Sequence, residues 1–245
     1  MNIHNTAHFV MQSKGGAGKS VVSSLLAQYL LEKNPNLMLI DTDPSNKTLS
    51  SYKALDVQRI ELLNKNKLID QSKFNGFMNE FLSNDNPMIV DTGSGDFLAI
   101  NNYMITNEIP FLFTENEKNM VIHVPINFGQ SKEETLKCLM SLSANHQETP
   151  IIIWENEYFG ENEEDIMSMP MIKKAKNIVA SIKIHKMNAD TEEKYFSTML
   201  KGGLTFSEVA LSEDVENFGL VQKASIKRTK NKIWQQLDAL FASDN

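Results

Sequence analysis

The sequence predicts an α/β fold, a mostly parallel twisted sheet with helices on both faces, in a single domain spanning residues 1–245. Three observations carry this expectation. Short aliphatic or β-branched runs alternate with longer amphipathic ones along the chain, as in a parallel sheet covered by helices. The first apolar run, Ala7–Met11, leads into a glycine-rich loop and then a helical stretch, Val21–Leu31. Later runs, Leu37–Ile40, Pro87–Val90 and Pro150–Trp154, end in acids or amides, at the strand ends where open α/β sheets bind ligands.

Composition narrows the class. A chain of 245 residues can bury a sizeable core. The net charge of −7 argues against a globally basic nucleic-acid binder, though not against a local patch. Cys138 is the lone cysteine, so no intrachain disulfide forms, and it reads as a small buried hydrophobe. The N-terminus lacks the basic and apolar regions of a secretion signal, and no apolar run reaches membrane-spanning length. These features fit a cytoplasmic protein. Neither an internal repeat nor a linker marks a domain boundary.

The first loop reads Ser13-Lys14-Gly15-Gly16-Ala17-Gly18-Lys19-Ser20. Between strand and helix, this is the layout of a phosphate-binding loop. Gly15, Gly16 and Gly18 let the backbone wrap closely, so that successive N–H groups around Ala17 face one anion. The helix N-terminus adds its partial positive charge. Lys19 would reach the β- and γ-phosphates of a nucleotide, and the Ser20 hydroxyl would ligate Mg²⁺. Ser13 stands where the strict phosphate-loop pattern has glycine. The bland alternative is a glycine turn that binds nothing.

The second strand, Leu37–Ile40, ends in Asp41-Thr42-Asp43-Pro44, with Asn46 following. Pro44 biases Asp43 toward an extended backbone. An acid beside the γ-phosphate suits phosphoryl transfer, where positioning and electrostatics dominate. The alternative is two acids that merely end a strand and cap a turn. Arg59–Leu63 reads as a strand, and the following Asn64-Lys65-Asn66-Lys67 lacks the acid of a guanine-reading motif. ATP is therefore favoured over GTP. Residues 70–82 place Phe74, Phe77, Met78 and Phe81 on one helical stripe.

Met88-Ile89-Val90-Asp91-Thr92-Gly93-Ser94-Gly95 is the second strong stretch. A buried strand delivers Asp91 to the sheet rim, as a Walker B acid that holds the Mg²⁺ shell must be delivered. Gly93 or Gly95 would bring a backbone N–H to the γ-phosphate. Phe111–Phe113 and Val121–Ile126 read as strands or strand ends, and Lys132–Ser143 as a helix. The strand ending at Trp154 leads into Glu155–Gly160. There Asn156 would read an adenine edge with Tyr158 or Phe159 against the base, or the segment is an ordinary turn with a buried aromatic. The histidines have no metal spacing. His8 and His123 read as core residues, and His4, His146 and His185 as exposed. The acidic run Glu161–Asp165 reads as a solvated helix start or as a contact for a basic partner. The last segment, Val221–Phe241, is a long helix with Lys223, Lys227, Arg228, Lys230 and Lys232 in its first half. Ile233, Trp234, Leu237, Leu240 and Phe241 form an apolar stripe. It is a DNA-phosphate patch, a membrane-surface helix, or a closing helix docked on the body.

The form Lys-Gly-Gly-x-Gly-Lys-Ser, with Lys14 at the loop entrance, resembles the deviant Walker A of the ParA/MinD-type P-loop ATPases. The stretch Asp41-Thr42-Asp43-Pro44 with Asn46 resembles their switch region. With Tyr52–Leu55, Leu204–Phe206 and Gln236–Ala239, the chain is most similar to the TraL proteins of conjugative plasmids, over nearly its whole length. The resemblance implies a ParA/MinD/SIMIBI-like fold and a slow, partner-stimulated Mg²⁺-dependent ATPase that forms an ATP-sandwich homodimer. It assigns Asp43 to the attacking water, and Asp41 to Mg²⁺ or the switch. Lys14 would reach the partner's nucleotide across the dimer. It further implies a role in conjugative plasmid transfer, with DNA, transfer proteins or a membrane surface as candidate partners. The other expectation is a nucleotide-gated DNA- or membrane-binding switch for plasmid partition or maintenance, with very slow hydrolysis. A nitrogenase-iron-protein reading shares the loop but needs cluster cysteines, and Cys138 stands alone.

Overall fold

The computed structural model describes residues 3–43, 46–66 and 68–241. Pro44, Ser45 and Lys67 of the stretches singled out above lie outside the described residues.

Among the described residues, seven strands form one all-parallel sheet in the order β3-β2-β4-β1-β5-β6-β7. They are β1 (Thr6–Val10), β2 (Met38–Asp41), β3 (Val57–Arg59), β4 (Met88–Asp91), β5 (Asn119–Asn127), β6 (Ile151–Asn156) and β7 (Ile178–Ile184). Every crossover carries the chain back to the same edge of the sheet, so the carboxyl ends of the strands share one rim. The helices are α1 (Lys19–Leu31), α2 (Gln71–Leu82), α3 (Phe97–Thr106), α4 (Ile109–Glu115), α5 (Lys132–Asn145), α6 (Pro170–Lys174), α7 (Lys194–Lys201), α8 (Phe206–Leu211), α9 (Val215–Phe218) and α10 (Leu220–Phe241).

Successive strand residues point to opposite faces, and the sheet separates two cores. Phe9, Ile40, Met88, Val90, Ile122 and Ile153 pack with residues of α2 to α6. Val10, Leu39, Ile89, Val121, Ile152 and Trp154 pack with residues of α1 and of α7 to α10. The stripe predicted over residues 70–82 is buried as α2, capped by the Asp70 carboxylate, which accepts from Ser72 N.

Four local expectations are corrected. Phe111–Phe113 is helical and lies in α4. Short apolar runs do not separate strand from helix by periodicity; here Pro110 starts the helix, Ile109 and Phe113 are buried, and Phe111 points outward. The predicted strand at Arg59–Leu63 is displaced toward the N-terminus. β3 pairs only where β2 offers a partner, from Leu39↔Val57 to Asp41↔Arg59. Beyond Asp41 the chain leaves the sheet and the ladder stops. His146 is buried, not exposed, with Nε2 2.8 Å from Asn101 Oδ1. The acidic run starts no α-helix; Asp165 caps one 3₁₀ turn, accepting from Met167 N.

β7 was not anticipated, although Ile178, Ile182 and Ile184 give it an alternating buried pattern. Its free edge is occupied by α10. The Gln236 side chain accepts from Lys183 N at 2.7 Å and donates to Lys183 O at 3.1 Å, in place of another strand. The apolar stripe of α10 is buried, so α10 is a closing helix. Tyr29 Oη donates to Asp238 Oδ1, and Trp234 Nε1 donates to Glu32 Oε2. Much of its basic first half is engaged internally: Lys230 pairs with Glu32, Arg228 with Glu192, and Lys223 donates to Ala210 O and Ser212 O.

Beneath the rim, Trp154 Nε1 donates to His123 Nδ1 at 3.0 Å. His123 Nε2 therefore carries its proton and donates to His8 Nδ1 at 2.9 Å. Burial holds His8 neutral, its pKa lowered to about 3, and lowers His123 as well. The unfolded chain binds a proton at His8 below its ordinary value of 6.5, and the folded chain does not until about 3. His8 thus takes stability away as pH falls through that window, by up to about 1.4 kcal/mol per pH unit. The deficit of His8→Leu relative to wild type should narrow by roughly 1 kcal/mol between pH 7 and pH 5.5 in urea unfolding. An unchanged deficit would show that the histidine does not titrate on unfolding.

Candidate functional site

The register gathers the motifs. Val10 of β1 is level with Asp91 of β4, and Asp91 is level with Asp41 of β2. Three adjacent strands therefore end together, and their loops meet above the rim. Two threonines tie these ends: Thr92 Oγ1 donates to Val10 O at 2.8 Å, and Thr42 Oγ1 to Asp91 O at 3.2 Å.

The glycine loop leaves β1 through Gln12. Its amide nitrogen donates to Pro125 O and Thr135 O, and its carbonyl accepts from Lys14 N. Ser13 N donates to the buried Cys138 Sγ. Gly18 has φ 104° and forms the N-cap of α1. A Cβ there would stand 2.7 Å from Asn156 Nδ2, so strain and space both call for glycine. No acid lies in the first turn of α1, which leaves its N-terminal amides open to an anion.

Lys19 is buried, and its ammonium donates to Lys14 O at 3.3 Å. Burial lowers its pKa, while Asp91, Asp43 and Asp96 pull it back up. Asp91 is buried too. Its Oδ1 accepts from Ser23 Oγ at 2.8 Å, and among the described residues its Oδ2 has no well-formed hydrogen bond. Burial pushes Asp91 up to about 7, against the Ser20 and Ser23 hydroxyls and Lys19, which favour the charged form. A buried carboxylate oxygen with no partner, beside the Ser20 hydroxyl, fits a divalent cation held by few protein atoms and by phosphate oxygens. Among the described residues, no cluster of His, Cys, Asp and Glu would hold a metal by itself.

Asp41, the last residue of β2, and Asp43 hold the loop that follows. Asp41 Oδ1 accepts from Asp43 N at 3.0 Å and its Oδ2 from Ser50 Oγ at 2.6 Å. Both oxygens thus hold the loop that follows β2. Asp43 accepts from Asn46 through both oxygens, at 3.0 Å from N and 3.1 Å from Nδ2. The spacing of Asp43 and Asn46 is a local clasp that fixes the carboxylate.

Lys14 lies at the mouth of the loop, half-exposed, and pairs with Glu134 on the first turn of α5 at 2.5 Å. Asn156 donates to Ala17 O at 3.2 Å and accepts from Tyr158 N at 3.2 Å. Both ends of its amide are engaged, so Asn156 braces the loop. It also borders a cavity of about 310 Å³ that opens beside Gly16 and Gly18. Tyr158, Phe159, Met187 and Phe196 contribute to its largely apolar wall. Tyr158 and Phe159 are exposed and pack edge to face, so the buried-aromatic alternative for this turn does not hold.

Sequence reasoning missed Gln12, Ser23 and Asp96. Ser23 lies one turn after Ser20 on α1 and faces the same acid, a signal the helix spacing contains. Gln12 and Asp96 carry no local signal.

Comparison with known proteins agrees with this arrangement. The family model for the CobQ/CobB/MinD/ParA nucleotide binding domain matches residues 8–219. Two Escherichia coli relatives are both named protein TraL. One is 30% identical over 238 residues, covering 95% of this chain and 97% of the relative. The other is 28% identical over 236 residues, covering 94% and 96%. Among solved structures, the MinC:MinD cell division protein complex of Aquifex aeolicus matches with a TM-score of 0.51 at 15% identity, covering 92% of this chain and 96% of that one.

The glycines give a direct test of the loop. Gly18→Ala should lower unfolding stability by about 1–3 kcal/mol. Gly95→Ala, where an added Cβ meets open space, should change it by no more than about 0.5 kcal/mol. Equal effects in urea unfolding would contradict the loop geometry.

Proposed function

This chain belongs to the CobQ/CobB/MinD/ParA nucleotide-binding family, and we propose that it is a Mg²⁺-dependent ATPase that dimerises around ATP and serves conjugative plasmid transfer. The buried Lys19 among Asp91, Asp43 and Asp96, directly after the glycine loop, is the observation that carries this reading. The likeness to TraL proteins supports the role in transfer.

In this reading, the loop amides around Gly15, Gly16, Ala17 and Gly18 bind the β-phosphate, and Lys19 neutralises the β- and γ-phosphates. Ser20 and Asp91 would hold the Mg²⁺, and Asp41 would help position the Mg²⁺ or the switch. Mg²⁺ supplies charge neutralisation on the phosphates. Asp43, clasped by Asn46, orients the attacking water. The adenine lies in the cavity against Tyr158 and Phe159, with Asn156 in its wall. Lys14 supplies charge to the partner's transition state. The protein works in the cytoplasm; among the described residues no helix is long and apolar enough to cross a membrane.

The Lys14–Glu134 ion pair favours a second reading of the output. A lysine held within its own chain is withheld from a partner's nucleotide. The protein then acts as a nucleotide-gated switch for DNA, a membrane surface or transfer proteins, as in plasmid partition or maintenance, and turns over slowly until a partner arrives. Stimulation of phosphate release by a partner distinguishes this reading from steady turnover.

Asp43→Ala should retain ATP without releasing phosphate, and should be dimeric by light scattering with Mg-ATP and monomeric with Mg-ADP. A monomer in both would remove the sandwich dimer, and normal phosphate release would remove Asp43 as the water-positioning residue. Lys19→Ala should weaken ATP binding by about tenfold or more; an unaltered dissociation constant would refute the phosphate-loop assignment. Lys14→Ala should lower turnover by about a hundredfold while largely sparing binding, and unchanged turnover would eliminate the cross-dimer role.

A further inference from the structure

Asp96 occupies the N-cap of α3, where a carboxylate ordinarily accepts from the first amides of the helix. Its side chain makes no such bond. The residue is fully buried, and among the described residues neither carboxyl oxygen has a well-formed hydrogen bond, although the Thr42 hydroxyl and its own N–H lie close enough to favour the charged form. The neighbouring Thr42 hydroxyl spends its proton on Asp91 O. A buried carboxylate left in this state costs stability. A position that served the fold alone would gain by any residue that caps the helix.

The carboxyl is turned instead toward the switch. A Cβ on Gly93 would stand 2.8 Å from Asp96 Oδ1 and 3.0 Å from both Cα and Cγ of Asp43. The missing side chain of Gly93 lets two carboxyl groups approach one place. Lys19 and Asp43 are the charged groups that act on Asp96 there.

We propose that Asp96 is a second acceptor for the attacking water, beside Asp43. The inference rests on the hydrolytic reading given above. A single acceptor fixes one O–H bond of a water and leaves it free to rotate. Two acceptors fix both O–H bonds and leave a lone pair for phosphorus. The water oxygen bonds to the γ-phosphorus as the bond from phosphorus to the bridging oxygen breaks, and that electron pair leaves with ADP. Both water protons remain on the product as dihydrogen phosphate. The carboxylates therefore accept hydrogen bonds and take no proton. A negative group beside the γ-phosphate also opposes ATP binding, so its removal does not weaken affinity.

The test compares Asp96→Asn and Asp96→Ser with wild type and Asp43→Ala. It measures single-turnover phosphate release, ATP affinity and thermal unfolding of the nucleotide-free protein. Both Asp96 variants should lose about tenfold or more in turnover. Their ATP affinity should be unchanged or tighter, and their unfolding midpoints unchanged or higher. Turnover within about twofold of wild type would overturn the assignment. So would a lower midpoint with weaker ATP binding, the mark of a structural residue. If Asp43→Ala is inactive while the Asp96 variants are active, only Asp96 is removed. If wild type releases no phosphate, or Asp43→Ala matches it, the hydrolytic reading falls and this inference with it.

Discussion

Burial of the Lys19 ammonium among carboxylates is the constraint on which the site depends. A buried cation is tolerated only with opposite charge close by. Asp91 and Asp43 supply most of that charge and Asp96 the least of the three, each from a different element. Asp91 ends β4, Asp43 follows β2, and Asp96 begins α3. They meet because β2, β4 and β1 are neighbours whose ends share one register. The chain runs outward through β2 and β3, then returns to insert β4 beside β1. That return makes the loop after β2 and the Asp91 loop adjacent to the glycine loop.

The charges gathered there are unbalanced. Asp91 and Asp96 are both pushed up to about 7 by burial, and among the described residues one oxygen of Asp91 and both of Asp96 lack well-formed hydrogen bonds. Unsatisfied buried acids concentrate where function, and not stability, selects the residue. The surrounding hydrogen bonds show the opposite character. Asp41 spends both oxygens on the loop after β2, Asn46 clasps Asp43, and Gln12 and Asn156 brace the two sides of the glycine loop. A rigid frame thus holds a few strained acids.

The same economy shapes the far face. α10 spends its apolar stripe on the body, Gln236 on the free edge of β7, and several basic side chains on neighbouring acids or carbonyls. A surface that looked available in sequence is largely committed inside the fold. Lys14 is committed too, to Glu134, but by an exposed ion pair. Such pairs contribute little to stability and are readily exchanged. The contrast separates contacts that hold the fold from one that can change.

The sequence alone determined the α/β class, the glycine loop, the acids at the ends of β2 and β4, and the span of α10. These are local properties: glycine spacing, apolar runs and helical stripes act within a few residues of themselves. Where a run was short, local pattern misled. Phe111–Phe113 carries as much apolar character as a strand, and only its packing on the body makes it α4. β3 stops at Arg59 because β2 runs out, a fact about a partner strand and not about residues 59–63. His146 looks exposed between polar neighbours until Asn101 of α3 is brought against it. Asp96 is the strongest case. In sequence it is one more acid at a helix start; only the fold buries it, leaves its oxygens without a well-formed hydrogen bond among the described residues and turns it toward Asp43. Electrostatic and packing partners far apart in the chain decide that, and they are set when the strands align.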